Sequence, residues 1–376
     1  MARVLVTAHL GRHFRIFGQY DYKVLLSMGH EVHIAANFKG EIDEFHDPNV
    51  IKHQIDFERN PFSVENMKAM KQLEKLFQEV YFDIIHCQSP SGGAVTRLAA
   101  RKTRKKGSKV IYTPHGLHFF KGASIKNWLL FYNIEKFLGR FTDCVITIND
   151  EDFGATKEKL KVNDVRQIHG VGIDLTKFEP QTQEKKDRLR EQYGYSDRDF
   201  ILVYAGELSY RKHQDHLIEA VSLLKNKIPT IKLLLAGTGN LLDQYQDQVQ
   251  RLKLQNHVHF LGYRNDIPNL MILSDVAVSS SRQEGLPVNV MEAMATGLPL
   301  VVSDCRGNRD LVRNGENGNV IKDDDVNGFA EAIERLYKSE ELRGKCREHN
   351  LKLINTYSIE NVSKEMEAIY KDCLKH

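Results

Sequence analysis

The sequence predicts an α/β protein made of two parallel-sheet domains. Three observations carry this expectation. Short apolar runs rich in β-branched residues alternate with amphipathic stretches along the whole chain. The alternation starts afresh near residue 200. The 376 residues, 41% hydrophobic and 27% charged, suffice for two ordinary cores.

In the first half, RVLVTA (3–8), EVHIAA (31–36), DIIHCQ (83–88), KVIYTPH (109–115) and DCVITI (143–148) read as strands. Between them lie helical stretches such as SVENMKAMKQLEKLFQEV (63–80), with apolar residues at three- and four-residue steps. In the second half, FILVYAG (200–206), KLLLAG (232–237), VHFLG (258–262), VAVSS (276–280) and LPLVVS (298–303) repeat the pattern. Strands alternating with helices imply parallel βαβ units covered on both faces. Each half therefore reads as a Rossmann-like domain: 1–175, and 176–357, with a polar connection around 175–198. The last stretch, 358–376, is an amphipathic helix with no strand after it, expected to dock back on the first domain. In such sheets ligands sit beyond the carboxyl ends of the strands, so two domains facing a central cleft would enclose one substrate each.

Composition narrows the function classes. No apolar run approaches the roughly 18–20 residues of a membrane span, and the N-terminal strand is too short for a signal peptide. Five scattered cysteines without a CxxC pair read as reduced thiols. A cytoplasmic protein is expected. Net charge is only +3, but Arg97, Arg101, Lys102, Arg104, Lys105, Lys106 and Lys109 fall in one acid-free stretch. A solvated helix end reads the same way as a patch that meets anionic lipid at 97–109. No nucleic-acid partner is expected, because no reader motif accompanies the patch.

Four constellations carry chemistry. In YAGELSYRKH (204–213) a strand ends at Gly206, and Arg211 and Lys212 follow at the turn into a helix. Backbone N–H groups and the helix dipole already favour anions there, and two cations make a pyrophosphate-sized site. In SRQEGLPVNVMEAMATGLPLVVSD (281–304), Glu284 precedes a Gly285–Leu286–Pro287 turn. Pro287 suits a helix start, leaving N–H groups of Leu286, Val288 and Asn289 for a phosphate. Glu284 and Glu292 are acceptors suited to sugar and ribose hydroxyls. In TPHGLHFFKG (113–122), His115 ends a strand, where it can donate to a hydroxyl or a developing charge. His115 and His118 lack a third ligand at metal-like spacing, so no metal is expected. In AHLGRHF (8–14) the single Gly11 follows the first strand, which disfavours a GxGxxG dinucleotide site. Asp197-Arg198-Asp199 matches a metal-binding D-x-D pattern but precedes a strand and reads as solvated.

With these residues in hand, the chain resembles the retaining glycosyltransferases of family four, whose fold is GT-B. The resemblance is carried by LLSMGHEVHIAA (25–36), YTPHG (112–116), HGVGIDLTKFEP (169–180), AGELSYRKH (205–213), LLLAGTG (233–239), VHFLGYRNDIPNLM (258–271) and the Glu284/Glu292 pair of EGLPVNVMEAMATGLPLVVSD (284–304). It implies that Arg211 and Lys212 bind the donor diphosphate, Glu292 the ribose and Glu284 the donor sugar. The turn at 285–289 would meet sugar and phosphate, and Tyr263 and Arg264 would border the nucleobase. His115 would sit beside the donor sugar, and Gly11 in the loop over it. Two departures stand out: one glycine rather than two in the first loop, and His213 where many members have Gly or Asn. The resemblance implies a UDP-sugar donor, no metal cofactor, and a glycan or polyprenyl-diphosphate-linked acceptor in capsule, exopolysaccharide or O-antigen synthesis. It would place the basic stretch at the inner membrane face. A UDP-N-acetylglucosamine 2-epimerase and a non-catalytic nucleotide-sugar-binding subunit stay open as alternatives. A dehydrogenase is weakened by the missing glycines.

Overall fold

The computed structural model describes residues 1–40, 45–60 and 63–375. The chain divides into two compact units. One is Met1–Gly172 together with the C-terminal stretch from Ile359, and the other is Ile173–Ser358.

The first unit is built on β1 (Arg3–Leu10), β2 (Glu31–Asn37), β3 (Ile51–Gln54), β4 (Ile84–Gln88), β5 (Lys109–Thr113), β6 (Cys144–Thr147) and β7 (Asp164–Gln167). All pair in parallel, in the order β3-β2-β1-β4-β5-β6-β7. Leu5, Ile85, Val110 and Val145 of the central strands meet Leu73, Leu76 and Phe82 in one core. The C-terminal helix Ile359–Lys375 buries Val362, Met366, Ile369 and Tyr370 in this unit. The Tyr370 hydroxyl lies 2.7 Å from Nδ1 of buried His86, whose Nε2 meets Thr113 Oγ1 at 2.8 Å. The expected return of the terminal helix to the first domain is therefore observed.

The second unit is built on β8 (Phe200–Ala205), β9 (Ile231–Ala236), β10 (Val258–Gly262), β11 (Val276–Ser279), β12 (Leu300–Ser303) and β13 (Gly318–Ile321). They too are parallel, in the order β10-β9-β8-β11-β12-β13. The 175–198 stretch is more than a connection. It holds the helix Gln183–Tyr193, whose Arg190 is buried and bonded to Asp275 at 2.7 Å. Among the described residues, no helix is long and apolar enough to cross a membrane.

The basic stretch also departs from expectation. Arg97 is not on the surface: it is buried, and it forks onto Glu135 at 2.8 and 3.1 Å. Its guanidinium lies 3.7 Å from the centre of the Tyr112 ring, and the Tyr112 hydroxyl donates to Glu135 at 3.1 Å. The last turn of the helix Pro90–Ala99 packs inward, which turns Arg97 toward the sheet. Arg104 is held by Asp143 at 2.7 and 3.0 Å. Of the cations in the stretch, only Arg101, Lys102, Lys105 and Lys106 are exposed.

Removing one partner of a buried ion pair strands the other charge. Glu135→Ala is expected to destabilise the protein by about 3–5 kcal/mol, read as a lower urea midpoint. An unchanged midpoint would mean that Arg97 finds other compensation.

Candidate active site

The second unit assembles most of the expected donor residues at one place. β8 and β11 are neighbours, yet the chain leaves β8 toward β9 and β10 before it returns to β11. This reversal opens a crevice at the carboxyl ends of the two strands. The loop after β8 carries Gly206, Arg211 and Lys212, and the loop after β11 carries Glu284. Arg282 N–H donates to Arg211 O at 2.9 Å and joins the two loops.

Lys212 and Glu284 are both buried, and Lys212 Nζ donates to Glu284 Oε1 at 2.6 Å. Arg211 donates to Glu284 Oε2 at 3.2 Å and to Gln283 O at 3.1 Å. The three residues expected to serve diphosphate and sugar separately thus form one cluster with a net charge of about +1. Burial pushes the Glu284 carboxyl up, but Lys212 and Arg211 hold it below its ordinary range. Burial likewise disfavours the Lys212 charge, and Tyr204 and Glu284 overcome it, so its pKa is raised. Both groups are ionised near neutrality.

The backbone beneath is tightly fixed. Ser280 Oγ donates to the carbonyls of Lys212 and His213, at 3.0 and 2.6 Å. The Tyr204 hydroxyl lies 3.2 Å from Lys212 O and 2.6 Å from Ser281 Oγ. His213 adopts φ +54°, which gives the sequence departure at this position its meaning. A left-handed residue is needed there, and Gly or Asn supplies it at less steric cost.

The helix Val288–Thr296 starts beside this cluster. Pro287 caps it without a side-chain hydrogen bond, and no acid lies in its first turn. The N–H groups of Val288 and Asn289 are first-turn donors without intrahelical partners, a ready anion site. Arg306 Nε donates to Glu284 O at 2.9 Å, and a Cβ on Gly307 would come within 2.4 Å of Gly285 O. The 305–307 loop therefore clamps the Gly285–Leu286–Pro287 turn. Sequence reading missed this clamp, as it missed Tyr204, Ser280 and Ser281. A glycine before the Asn308–Leu311 helix was its only signal.

Glu292 lies one turn inside the helix. Burial pushes its carboxyl up to about 7, against the opposing pull of Lys177 and Lys212. Gly237 brings the loop after β9 onto the loop after β8, since a Cβ on it would lie 2.0 Å from Gly206 O. Tyr263 follows β10 and is exposed, while Arg264 is held by Asp266 at 2.5 and 2.7 Å.

Gly11 and His115 belong to the first unit. Gly11 N–H donates to Asn37 O at 3.1 Å where β1 gives way to the helix Arg12–Phe17. His115 has φ +58°. Its Nε2 lies 2.7 Å from Gln88 Oε1 and 3.1 Å from the Tyr20 hydroxyl. The Gln88 amide is oriented by Asp21, which accepts from its Nε2 at 3.3 Å. Its oxygen thus faces His115, which places the ring proton on Nε2 and leaves Nδ1 as an acceptor. Burial, then His13 and His86, pushes the His115 pKa well below its ordinary value, so the ring is neutral. Near it, His9 Nδ1 meets Ser89 Oγ at 3.2 Å, and a Cβ on Gly92 would lie 3.1 Å from His9 N. The run QSPSGG was a signal for this contact that sequence reading passed over.

Asp197 and Arg198 are exposed in the turn before β8, away from any strand's carboxyl end. His213, His216 and Asp324 bring ligand atoms within 4.8 Å of one another. His213 Nε2 lies 2.5 Å from Arg282 and accepts from it, so the positive charge of the guanidinium stands directly against that nitrogen's lone pair.

Comparison with known proteins now decides the family. Residues 185–352 match the family described as glycosyl transferases group 1, and residues 8–149 match the glycosyl transferase 4-like family. EpsD of Bacillus subtilis, which carries a glycosyltransferase name, is 42% identical over 98% of this chain and 96% of its own length. The chain belongs to the group 1 glycosyltransferases. A second relative of this glycosyltransferase is an Escherichia coli enzyme, UDP-Gal:α-D-GlcNAc-diphosphoundecaprenol α-1,3-galactosyltransferase. It is 28% identical over 94% of this chain and 92% of its own. The crystal structure of HepE from Anabaena, solved with UDP and glucose, has the same fold. Its TM-score is 0.79 at 19% identity, covering 99% of this chain and 100% of that one.

A carboxyl whose pKa is raised by folding binds its proton more tightly in the native state. Glu292 therefore costs stability as pH rises from about 4.5 toward 7. Glu292→Gln is expected to raise stability at pH 8 by about 1–3 kcal/mol and to leave it little changed at pH 4. Equal midpoints at pH 8 would contradict the raised pKa.

Proposed function

We propose that this glycosyltransferase moves a hexosyl or N-acetylhexosaminyl unit from a UDP-sugar to an acceptor hydroxyl, with retention at the anomeric carbon. One observation carries the reading: the buried Lys212–Glu284 pair and the exposed Arg211 form a pre-organised cationic cluster beside a helix start without a side-chain cap. Such a place suits a diphosphate leaving group, because donors already aimed at developing charge need no reorganisation. The bond from the anomeric carbon to the β-phosphate oxygen breaks, and the acceptor oxygen takes its place on the same face. The acceptor proton passes to the departing diphosphate. Arg211, Lys212 and the N–H groups of Val288 and Asn289 take up the negative charge, and no metal is required.

Glu292 is assigned to the ribose and Glu284 to the donor sugar. Tyr263 and Arg264 are assigned to the base, and Gly206 and the 285–289 turn to close backbone approach. Neutral His115 suits hydrogen bonding to a sugar hydroxyl rather than proton donation. The printed activity of the Escherichia coli relative supports a UDP-sugar donor and a polyprenyl-diphosphate-linked sugar acceptor in surface polysaccharide synthesis. A Campylobacter jejuni relative is likewise named for transfer to a diphospho-undecaprenol sugar, at 28% identity over 76% of this chain. An acceptor of that kind sets the enzyme at the cytoplasmic face of the cell membrane.

Three outcomes test this. Turnover of a labelled UDP-sugar panel with undecaprenyl-diphosphate sugars is expected to yield one α- or β-linked product with the donor's configuration, and an inverted product would contradict it. Chelator is expected to leave the rate unchanged, whereas loss restored by a divalent ion would overturn the metal-free assignment. Lys212→Ala is expected to lower kcat/KM by about 10²–10³-fold without unfolding, since Tyr204 and Ser280 hold the backbone there through its carbonyl.

A further inference from the structure

We propose that Asp21 is a positioning residue that acts through Gln88 on His115, and so makes the first unit select a substrate hydroxyl able to donate a hydrogen bond. Gln88 is the last residue of β4, His115 follows the end of β5, and Asp21 caps the helix Tyr22–Ser27. Asp21 and Gln88 are fully buried, and His115 is half-buried.

As a carboxylate, the Asp21 side chain only accepts. Its Oδ1 takes the Tyr22 N–H at the helix start. Its Oδ2 lies 3.3 Å from Gln88 Nε2 and 3.3 Å from His13 Nε2. The nitrogen of the Gln88 amide must therefore face Asp21, and its oxygen must face away. That oxygen accepts from the Tyr20 hydroxyl at 3.0 Å and from His115 Nε2 at 2.7 Å, which fills both its lone pairs. The His115 proton is thus held on Nε2 by a carboxylate that the ring never touches. Burial keeps the ring neutral, so Nδ1 carries a lone pair. A sugar O–H can donate to that lone pair, whereas a fluorine or an ether oxygen cannot. Without Asp21 the Gln88 amide could sit either way round in nearly the same shape, offering His115 an acceptor or a donor. A network that only held the fold together would not depend on which His115 nitrogen bears the proton. The proposal rests on the assignment of His115 to a sugar hydroxyl made above, and narrows it to a property of the substrate.

Asp21→Asn keeps an oxygen for the Tyr22 N–H and puts an amide nitrogen where Oδ2 lies. Two facing amide nitrogens repel, so the Gln88 amide is expected to reverse and donate to His115 Nε2, which moves the ring proton to Nδ1. His86 Nε2, 3.4 Å from Gln88 Nε2, can follow, because the Thr113 hydroxyl 2.8 Å from it both donates and accepts. Nitrogen–proton NMR spectra of the histidine rings in the full-length protein report each tautomer, with His115→Gln assigning the signal. Wild type is expected to show His115 as Nε2–H, Asp21→Asn as Nδ1–H, and Gln88→Met as a mixture. Nδ1–H in wild type, or Nε2–H unchanged in both Asp21→Asn and Gln88→Met, would overturn the proposal. The wild-type spectrum decides even where Asp21→Asn does not fold. Kinetics with monofluorinated UDP-sugars give a second readout. In wild type, fluorine at the contacted hydroxyl is expected to lower kcat/KM about tenfold, and in Asp21→Asn that ratio should fall to near one. An equal loss for all donors, with the ratio kept, would overturn the positioning role. A wild type indifferent to every fluorine would overturn the sugar assignment and with it the selection, and the spectra would still decide the relay from Asp21 to His115.

Discussion

A buried lysine keeps its charge only if something nearby compensates for lost water. In this chain Lys212 is compensated by Glu284, and the site is arranged around that constraint. The carboxylate must come from the loop after β11, so that loop must lie against the loop after β8. The Lys212 carbonyl is fixed by Tyr204 and Ser280, and the next residue must turn left-handed. Glu284 in turn is held at its carbonyl by Arg306. Removing Glu284 would leave Lys212 as an uncompensated charge in a protein interior, whereas Glu284 keeps Arg211 as a second partner. The site is thereby rigid before substrate arrives, which is what electrostatic stabilisation of a leaving group needs.

The two units solve the same geometric problem in the same way. Each is a parallel sheet whose first strand lies centrally, with the chain winding out to one side and then returning to the other. Strand ends at the reversal carry free loops, and helices begin there with unpaired N–H groups. In the first unit the loops after β1 and β4 meet through His9 and Ser89. In the second, those after β8 and β11 meet through Arg211 and Arg282. The first unit invests its reversal in histidines kept neutral by burial, the second in a buried lysine whose charge Tyr204 and Glu284 favour.

The central strands were legible because burial on both faces leaves continuous apolar runs. Three edge strands were not. β3 (IKHQ), β7 (DVRQ) and β13 (GNVI) are four residues long and partly or largely exposed, so their polar residues hid the pattern. The residues of the donor cluster were legible from motif and spacing, but their mutual contact was not. A sequence shows Lys212 and Glu284 as separated by 72 positions, and only the strand order makes them neighbours. Arg97 misled for the same reason: its partner Glu135 is 38 positions away.

The measurement that bears most directly on the central claim is calorimetric binding of UDP, UMP and uridine to the wild-type protein and to Arg211→Ala. If the cationic cluster and helix start hold a diphosphate, UDP should bind much more tightly than UMP or uridine, and Arg211→Ala should remove most of that advantage. Equal affinity for UDP and uridine, or an advantage that survives the substitution, would contradict the account.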